Sequence, residues 1–145
     1  MRGKSSPADD HPSVRLSLEA RPENAAVARR AVADEAARAG HGDPLVAAAK
    51  VIVTEGFTNA IRHAYLDPGG ERVVVHAESD SDGMTIAVRD SGSGFLPRVP
   101  EGFGGGGFGL GLIAALAHRV ELRQLSDGGT EVRARVERSD VAQAG

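Results

Sequence analysis

Residues 53–65 read Val53-Thr54-Glu55-Gly56-Phe57-Thr58-Asn59-Ala60-Ile61-Arg62-His63-Ala64-Tyr65, and this stretch decides how the rest of the chain is read. Apolar positions recur at helical spacing. Val46, Ala49, Ile52, Val53, Phe57, Ala60, Ile61 and Ala64 leave little of the helix for water. Against that background Glu55, Asn59 and His63 recur at i, i+4 and i+8, one stripe along one helix face. A carboxylate and an amide on a mostly buried helix need partners, because an unpaired polar group taken out of water is costly. A metal with a phosphate, or a substrate hydroxyl, would supply them; so would a half-exposed polar seam.

Outward from this helix the boundaries are readable. Asp43-Pro44 is a start signal, an N-cap followed by proline, and Asp67-Pro68-Gly69-Gly70 is a stop. The helix is expected from 43 to about 65. Upstream, residues 13 to 19 alternate, with Val14, Leu16 and Leu18 on one face, as a strand does. Arg21-Pro22-Glu23-Asn24 then opens an alanine-rich helix that carries Val27, Ala31 and Val32 and stops at Gly40. Downstream, strands over 72 to 77 and 84 to 89 flank a turn, Ser79-Asp80-Ser81-Asp82-Gly83. A glycine-rich loop follows, then an apolar helix over 110 to 119. A last hairpin pairs 120 to 125 with 130 to 136 across Asp127-Gly128-Gly129. This order implies an α+β fold, a two-layer sandwich in which three helices cover one face of a mostly antiparallel sheet.

Composition is consistent with that. The 145 residues suggest one domain, over 13 to 137, between polar tails at 1–12 and 138–145 that are expected to be mobile. Apolar content of 41% and charge of 26% are those of an ordinary globule. A net charge of -3 with scattered basic residues argues against a nucleic-acid surface. The absence of cysteine excludes disulfides, thiolate zinc sites and cysteine nucleophiles. No apolar run reaches transmembrane length, so no membrane partner is expected, and a reducing cytoplasm is the expected location.

The glycine loops carry the second chemical signal. Gly104-Gly105-Gly106-Gly107-Phe108-Gly109 satisfies G-x-G-x-x-G. The residues before it, with Pro97 and Pro100, do not form the strand that a dinucleotide fingerprint requires. A Walker loop also fails, because the only lysines are Lys4 and Lys50. What survives is physical: Gly107, Gly109 and Gly111 run into an apolar helix, where backbone N–H groups and the helix N-terminus favour a phosphate. A flexible linker is the plainer alternative. Asp90-Ser91-Gly92-Ser93-Gly94 ends a strand, where an aspartate can accept from a ligand amino group and the glycines leave room for a flat ring. Gly129-Thr130 is a weaker signal of the same kind.

Taken in order, these four segments resemble the N, G1, G2 and G3 boxes of the GHKL ATPase superfamily with its Bergerat ATP-binding fold, over residues 13 to 136. The wording Glu-x-x-x-Asn-Ala-x-x-His-Ala-Tyr looks most like the anti-sigma-factor serine/threonine kinases of the RsbW and SpoIIAB type. The resemblance implies ATP and Mg2+ as cofactors. It implies Glu55 as general base, Asn59 as magnesium ligand and His63 near the phosphates. Asp90 would bind the adenine amino group beside Gly92 and Gly94. Gly107, Gly109 and Gly111 would line the phosphates, Thr130 would support the adenine end, and residues 96 to 106 would be a lid. It further implies two protein partners, a sigma factor and a small anti-sigma-factor antagonist phosphorylated on serine, and it allows a homodimer. Gly56, beside the implied base, departs from a good helix former. A non-catalytic ATP-binding module and a simple ATPase are the competing readings, and retention of Glu55 favours the kinase.

Overall fold

The computed structural model describes residues 13–64, 72–90, 108–126 and 128–138, with the side chains of His63, Ala64, Phe108 and Gly109 outside that description. The tail at 1–12, residues 139–145 of the other tail, the lid at 96 to 106, and Gly92, Gly94 and Gly107 therefore lie outside the described residues, whereas Arg138, expected to begin the C-terminal tail, is tied to the β2–β3 turn by its backbone N–H to the Asp82 carbonyl at 2.8 Å. The elements run β1 (Ser13–Glu19), α1 (Asn24–Arg38), α2 (Asp43–Ala64), β2 (Arg72–Asp80), β3 (Gly83–Asp90), α3 (Phe108–Leu116), β4 (Arg119–Gln124) and β5 (Thr130–Glu137). This is the expected order of elements.

The strands form one sheet in the order β1-β2-β3-β5-β4, and every neighbouring pair is antiparallel. The α+β expectation holds. Alternation sorts the side chains. Val14, Leu16 and Leu18 stand opposite Ala77, Val75 and Val73. The same layer continues through Ile86 and Val88 to Ala134 and Val132. These residues meet Ile52, Val53, Phe57, Ala60 and Ile61 of α2 and Ile113 of α3 in a single core. The other face of the sheet is polar, as an antiparallel sheet with one solvated side allows.

Several boundaries move from where spacing puts them. Strand β2 continues to Asp80, so the β2–β3 turn is Ser81-Asp82 rather than five residues. Asp80 is the reason: one of its carboxylate oxygens accepts from the backbone N–H of Asp82 at 2.8 Å and of Gly83 at 2.9 Å, an Asx-type turn. Gly83 cannot be replaced there without movement, since a Cβ would collide with the Val136 carbonyl oxygen on β5. Helix α1 begins at Asn24, not in the Pro22 turn; the Asn24 side chain donates to the Glu19 carbonyl at 2.9 Å and ties the helix start to β1. Its buried face is Ala28, Val32, Glu35 and Ala36, while Val27 is 47% exposed. The apolar face expected through Val27 thus lies one position off. Gly40, with φ 89°, ends the helix as expected.

Candidate functional site

Glu55 and Asn59 lie on α2 at the border between its buried face and solvent; both are half-buried. Their neighbours Gly56, Phe57 and Ala60 are buried. Gly56 explains its own presence. A Cβ at that position would stand 3.0 Å from Val88 Cγ2, so the missing side chain lets the α2 backbone lie close against β3. The departure noted in the sequence is a packing device. His63 belongs to the last turn of α2, and its side chain lies outside the described residues.

The same strand that receives Gly56 ends at Asp90, two residues beyond Val88. Asp90 is 5% exposed and Thr130 2% exposed, and the two are cross-strand partners in the β3–β5 ladder. Two residues noted separately in the sequence are therefore one pair at one end of the sheet. Neither residue is without a partner in the fold. Asp90 is on the helix-covered face, with Val73 opposite it on β2.

Helix α3 packs on α2 and begins at Phe108, two residues before the expected start. Gly109 and Gly111 are therefore inside its first turn rather than in a loop ahead of it. This change keeps the proposed chemistry, because the first four N–H groups of a helix have no intrahelical acceptor. Gly111 is exposed, and a Cβ there would meet nothing within 4 Å. Nothing in the described protein requires glycine at that point, whereas a ligand pressed to the backbone would.

These features fit a nucleotide with a divalent cation. Among the described residues no group of three or more His, Cys, Asp or Glu could hold a metal. A hard cation here would take its ligands from a single amide oxygen, phosphate oxygens and water, which is how Mg2+ is commonly held. Asn59 offers such an oxygen. Among the described residues no helix is long and apolar enough to cross a membrane.

Other polar clusters escaped the sequence reading. Arg135 on β5 grips Asp80 with two guanidinium nitrogens, at 2.9 and 3.0 Å, and donates to Glu137 at 3.1 Å. The Arg135 hydrogen bonds are the main reason that the Asp80 carboxyl drops from 3.8 to about 2. In the sequence, Asp80-Ser81-Asp82-Gly83 signals a turn and nothing of the pairing with β5. Buried His41 has a lowered pKa, caused first by burial and opposed by a hydrogen bond to the Gly83 backbone; its Nε2 has no partner among the described residues. On the outer side of α1, Ala26, Val27, Arg29, Arg30, Ala33 and Lys50 help to line a groove of about 770 Å³.

Residues 18–136 match the family described as the histidine kinase-like ATPase domain. The serine-protein kinase RsbW of Oceanobacillus iheyensis is 30% identical, the match spanning 75% of this chain and 77% of the relative. The serine-protein kinase RsbW of Listeria innocua is 28% identical over 77% of this chain and 80% of its own length. The fold is similar to that of the RsbU and RsbW domains of Rv1364c from Mycobacterium tuberculosis, with a TM-score of 0.64 at 22% identity. That match covers 86% of this chain, which spans 32% of the larger one. With the family match running from β1 to β5, and an RsbW relative matched over three quarters of its length, the chain belongs to the histidine kinase-like ATPase (GHKL) family.

Proposed function

We propose that this protein is an ATP-dependent serine-protein kinase that also acts as an anti-sigma factor, phosphorylating a small antagonist protein on serine and binding a sigma factor. The observation that carries the reading is the convergence on β3: Gly56 brings the helix of Glu55 and Asn59 onto the strand that ends at Asp90. The family membership and the RsbW relatives support it.

ATP supplies the transferable phosphoryl group, and a bound Mg2+ offsets its charge. Glu55 accepts the proton of the attacking serine hydroxyl. Asn59 offers its amide oxygen to the cation. Asp90, supported by Thr130 across the ladder, accepts from the exocyclic amine of adenine. The free N–H groups at the start of α3 hold phosphate oxygens, and Gly109 and Gly111 let them approach. We assign His63, Gly92, Gly94 and Gly107 to the same site on the resemblance of their segments to the family's boxes. The α1 groove, with exposed Val27 among Arg29, Arg30 and Lys50, is the surface we assign to these protein partners.

Glu55→Gln tests the reading. Transfer to a serine-bearing antagonist should fall by about 10² to 10⁴-fold, the usual contribution of a general base, while ATP affinity and melting temperature stay unchanged. Undiminished transfer removes Glu55 from the chemistry. Loss of affinity and stability together makes it a structural residue. Intact ATP binding with no transfer by the native chain favours a non-catalytic module.

A further inference from the structure

We infer that the open face of the sheet around Glu131 is a docking site for an acidic segment of a protein partner. Arg89, Glu131 and Arg123 form one cross-strand row over β3, β5 and β4. Arg133 lies two residues further along β5, on the same face. All three guanidiniums are directed to one carboxylate, at 3.4, 3.6 and 3.5 Å from Arg89, Arg123 and Arg133. The Glu131 side chain is 4% exposed, yet those of the arginines are 42, 54 and 43% exposed.

The carboxylate does not saturate them. A carboxylate accepts through about four lone-pair sites, whereas three guanidiniums carry about fifteen N–H donors. The separations are longer than the roughly 2.7–2.9 Å of a tight charged hydrogen bond. The cluster thus keeps a surplus of positive charge with donors turned to water, and its mutual repulsion is relieved by a second anion. Arg119 adds a cation without an ion pair among the described residues. It lines a neighbouring cavity of about 330 Å³ with Arg133, Arg135 and His118. Glu121, opposite Arg133 on β4, and Glu137, paired with Arg135, are the carboxylates of that cavity that oppose this charge. With Arg135 and its partners Asp80 and Glu137 included, five arginines against four carboxylates leave an excess of one positive charge on this face, although the chain as a whole carries -3. A field of that sign steers acidic partners. Arg rather than Lys suits carboxylates, because its planar fork matches their two oxygens.

The face is distinct from the nucleotide site and from the α1 groove. Arg89 and Glu131 are the strand neighbours of Asp90 and Thr130, and successive strand residues point to opposite sides. An acidic segment on the open face leaves the covered side free. The inference holds whether or not the nucleotide reading does.

The test uses the full chain, ¹⁵N-labelled, without nucleotide, titrated with end-capped hexaglutamate. Amides at Arg89, Arg123, Glu131 and Arg133 should shift, and the affinity should fall as salt is raised. Arg123→Gln and Arg133→Gln should each raise Kd, by about fivefold at most for a solvent-exposed charge. Glu131→Gln should move the other way and tighten binding by a similar factor, even though removing a buried partner lowers stability. A purely structural cluster gives no such opposition of sign. Arg21→Gln, an exposed arginine between β1 and α1, should leave this binding unchanged. The inference is overturned if the shifts map to α1, or if inorganic phosphate alone binds the same amides as well as the peptide does. It is equally overturned if a short DNA duplex binds there more tightly than the peptide, or if Arg123→Gln abolishes self-association of the free chain instead. Should Glu131→Gln fail to fold, unchanged affinity in the two arginine variants overturns it by itself.

Discussion

Replacing Asp80 with asparagine removes a charge that two strands depend on. In the native chain Asp80 closes the β2–β3 turn through the N–H groups of Asp82 and Gly83 and receives both arms of the Arg135 guanidinium. Asparagine can still accept from the turn, but its NH₂ group faces the donors of Arg135. The magnitude follows from the carboxyl, which stands at 3.8 in an ordinary setting and about 2 here. At about 1.4 kcal/mol per pKa unit, full transmission of that difference would be roughly 2.4 kcal/mol. The Asp80 side chain is 36% exposed, and solvent screening cuts such a pair by about half, leaving roughly 1–1.5 kcal/mol. For a chain of this size that is a drop of about 4 °C in Tm. The sign is set by linkage. A lowered carboxyl contributes its full stability above the unfolded value near 3.8 and loses it as pH falls through the folded value near 2. Urea denaturation of both proteins, at pH values from 7 down to 3, should therefore show a stability gap that is constant down to about pH 5 and narrows below it. A gap that stays constant to pH 3 would refute the charge argument and assign the loss to turn geometry.

Other outcomes follow from single contacts. Gly83→Ala should destabilise by about 1–3 kcal/mol, because the added methyl meets β5 backbone, not a movable side chain; unchanged urea midpoints would contradict that close approach. His41 has a lowered pKa through burial, so it supports stability above its unfolded value of 6.5 and withdraws support as pH falls below it, when the unfolded chain takes up the proton first. His41→Gln should flatten the stability profile between pH 7 and about 5, and an equally steep profile in the variant would dismiss His41 as its source. Asp90→Asn should weaken ATP binding and relax discrimination against GTP, which a site built around one acceptor can hold at about 10⁴-fold; equal native affinity for the two nucleotides in calorimetry would sink the role given to Asp90.

Local signals were legible wherever one residue type forces one conformation. Asp43-Pro44 marks the start of α2, Gly40 the end of α1, and alternation the whole of β1. The α1 face was not legible, because in an alanine-rich helix the hydrophobic contrast between Val27 and Ala28 is too small to orient it. The buried side of α1 even includes Glu35, paired with Arg38. Strand order was out of reach for a different reason. Periodicity says which face a residue takes and nothing about which strand lies beside it. The insertion of β5 between β3 and β4 sets Asp90 opposite Thr130 and Arg89 opposite Glu131. Hence the helical stripe of Glu55 and Asn59 could be read from spacing alone, whereas the Asp90–Thr130 pair and the arginine cluster needed the register.

One glycine joins the two halves of the candidate site. In a helix interior it costs about 1 kcal/mol against alanine, and at Gly56 that cost is offset by contact. The backbone of α2 sits on Val88, and Phe57 beside it is fully buried. A larger residue would press on the Val88 side chain and push helix and strand apart. Because Glu55 and Asn59 are one turn apart on the same helix, any such displacement moves them together relative to the strand end. On the kinase reading, the α2–β3 contact would therefore couple packing in the core to the geometry of the site. On the same reading, the polar stripe at the edge of this buried helix would find its partners in a ligand lying between α2, α3 and the end of β3.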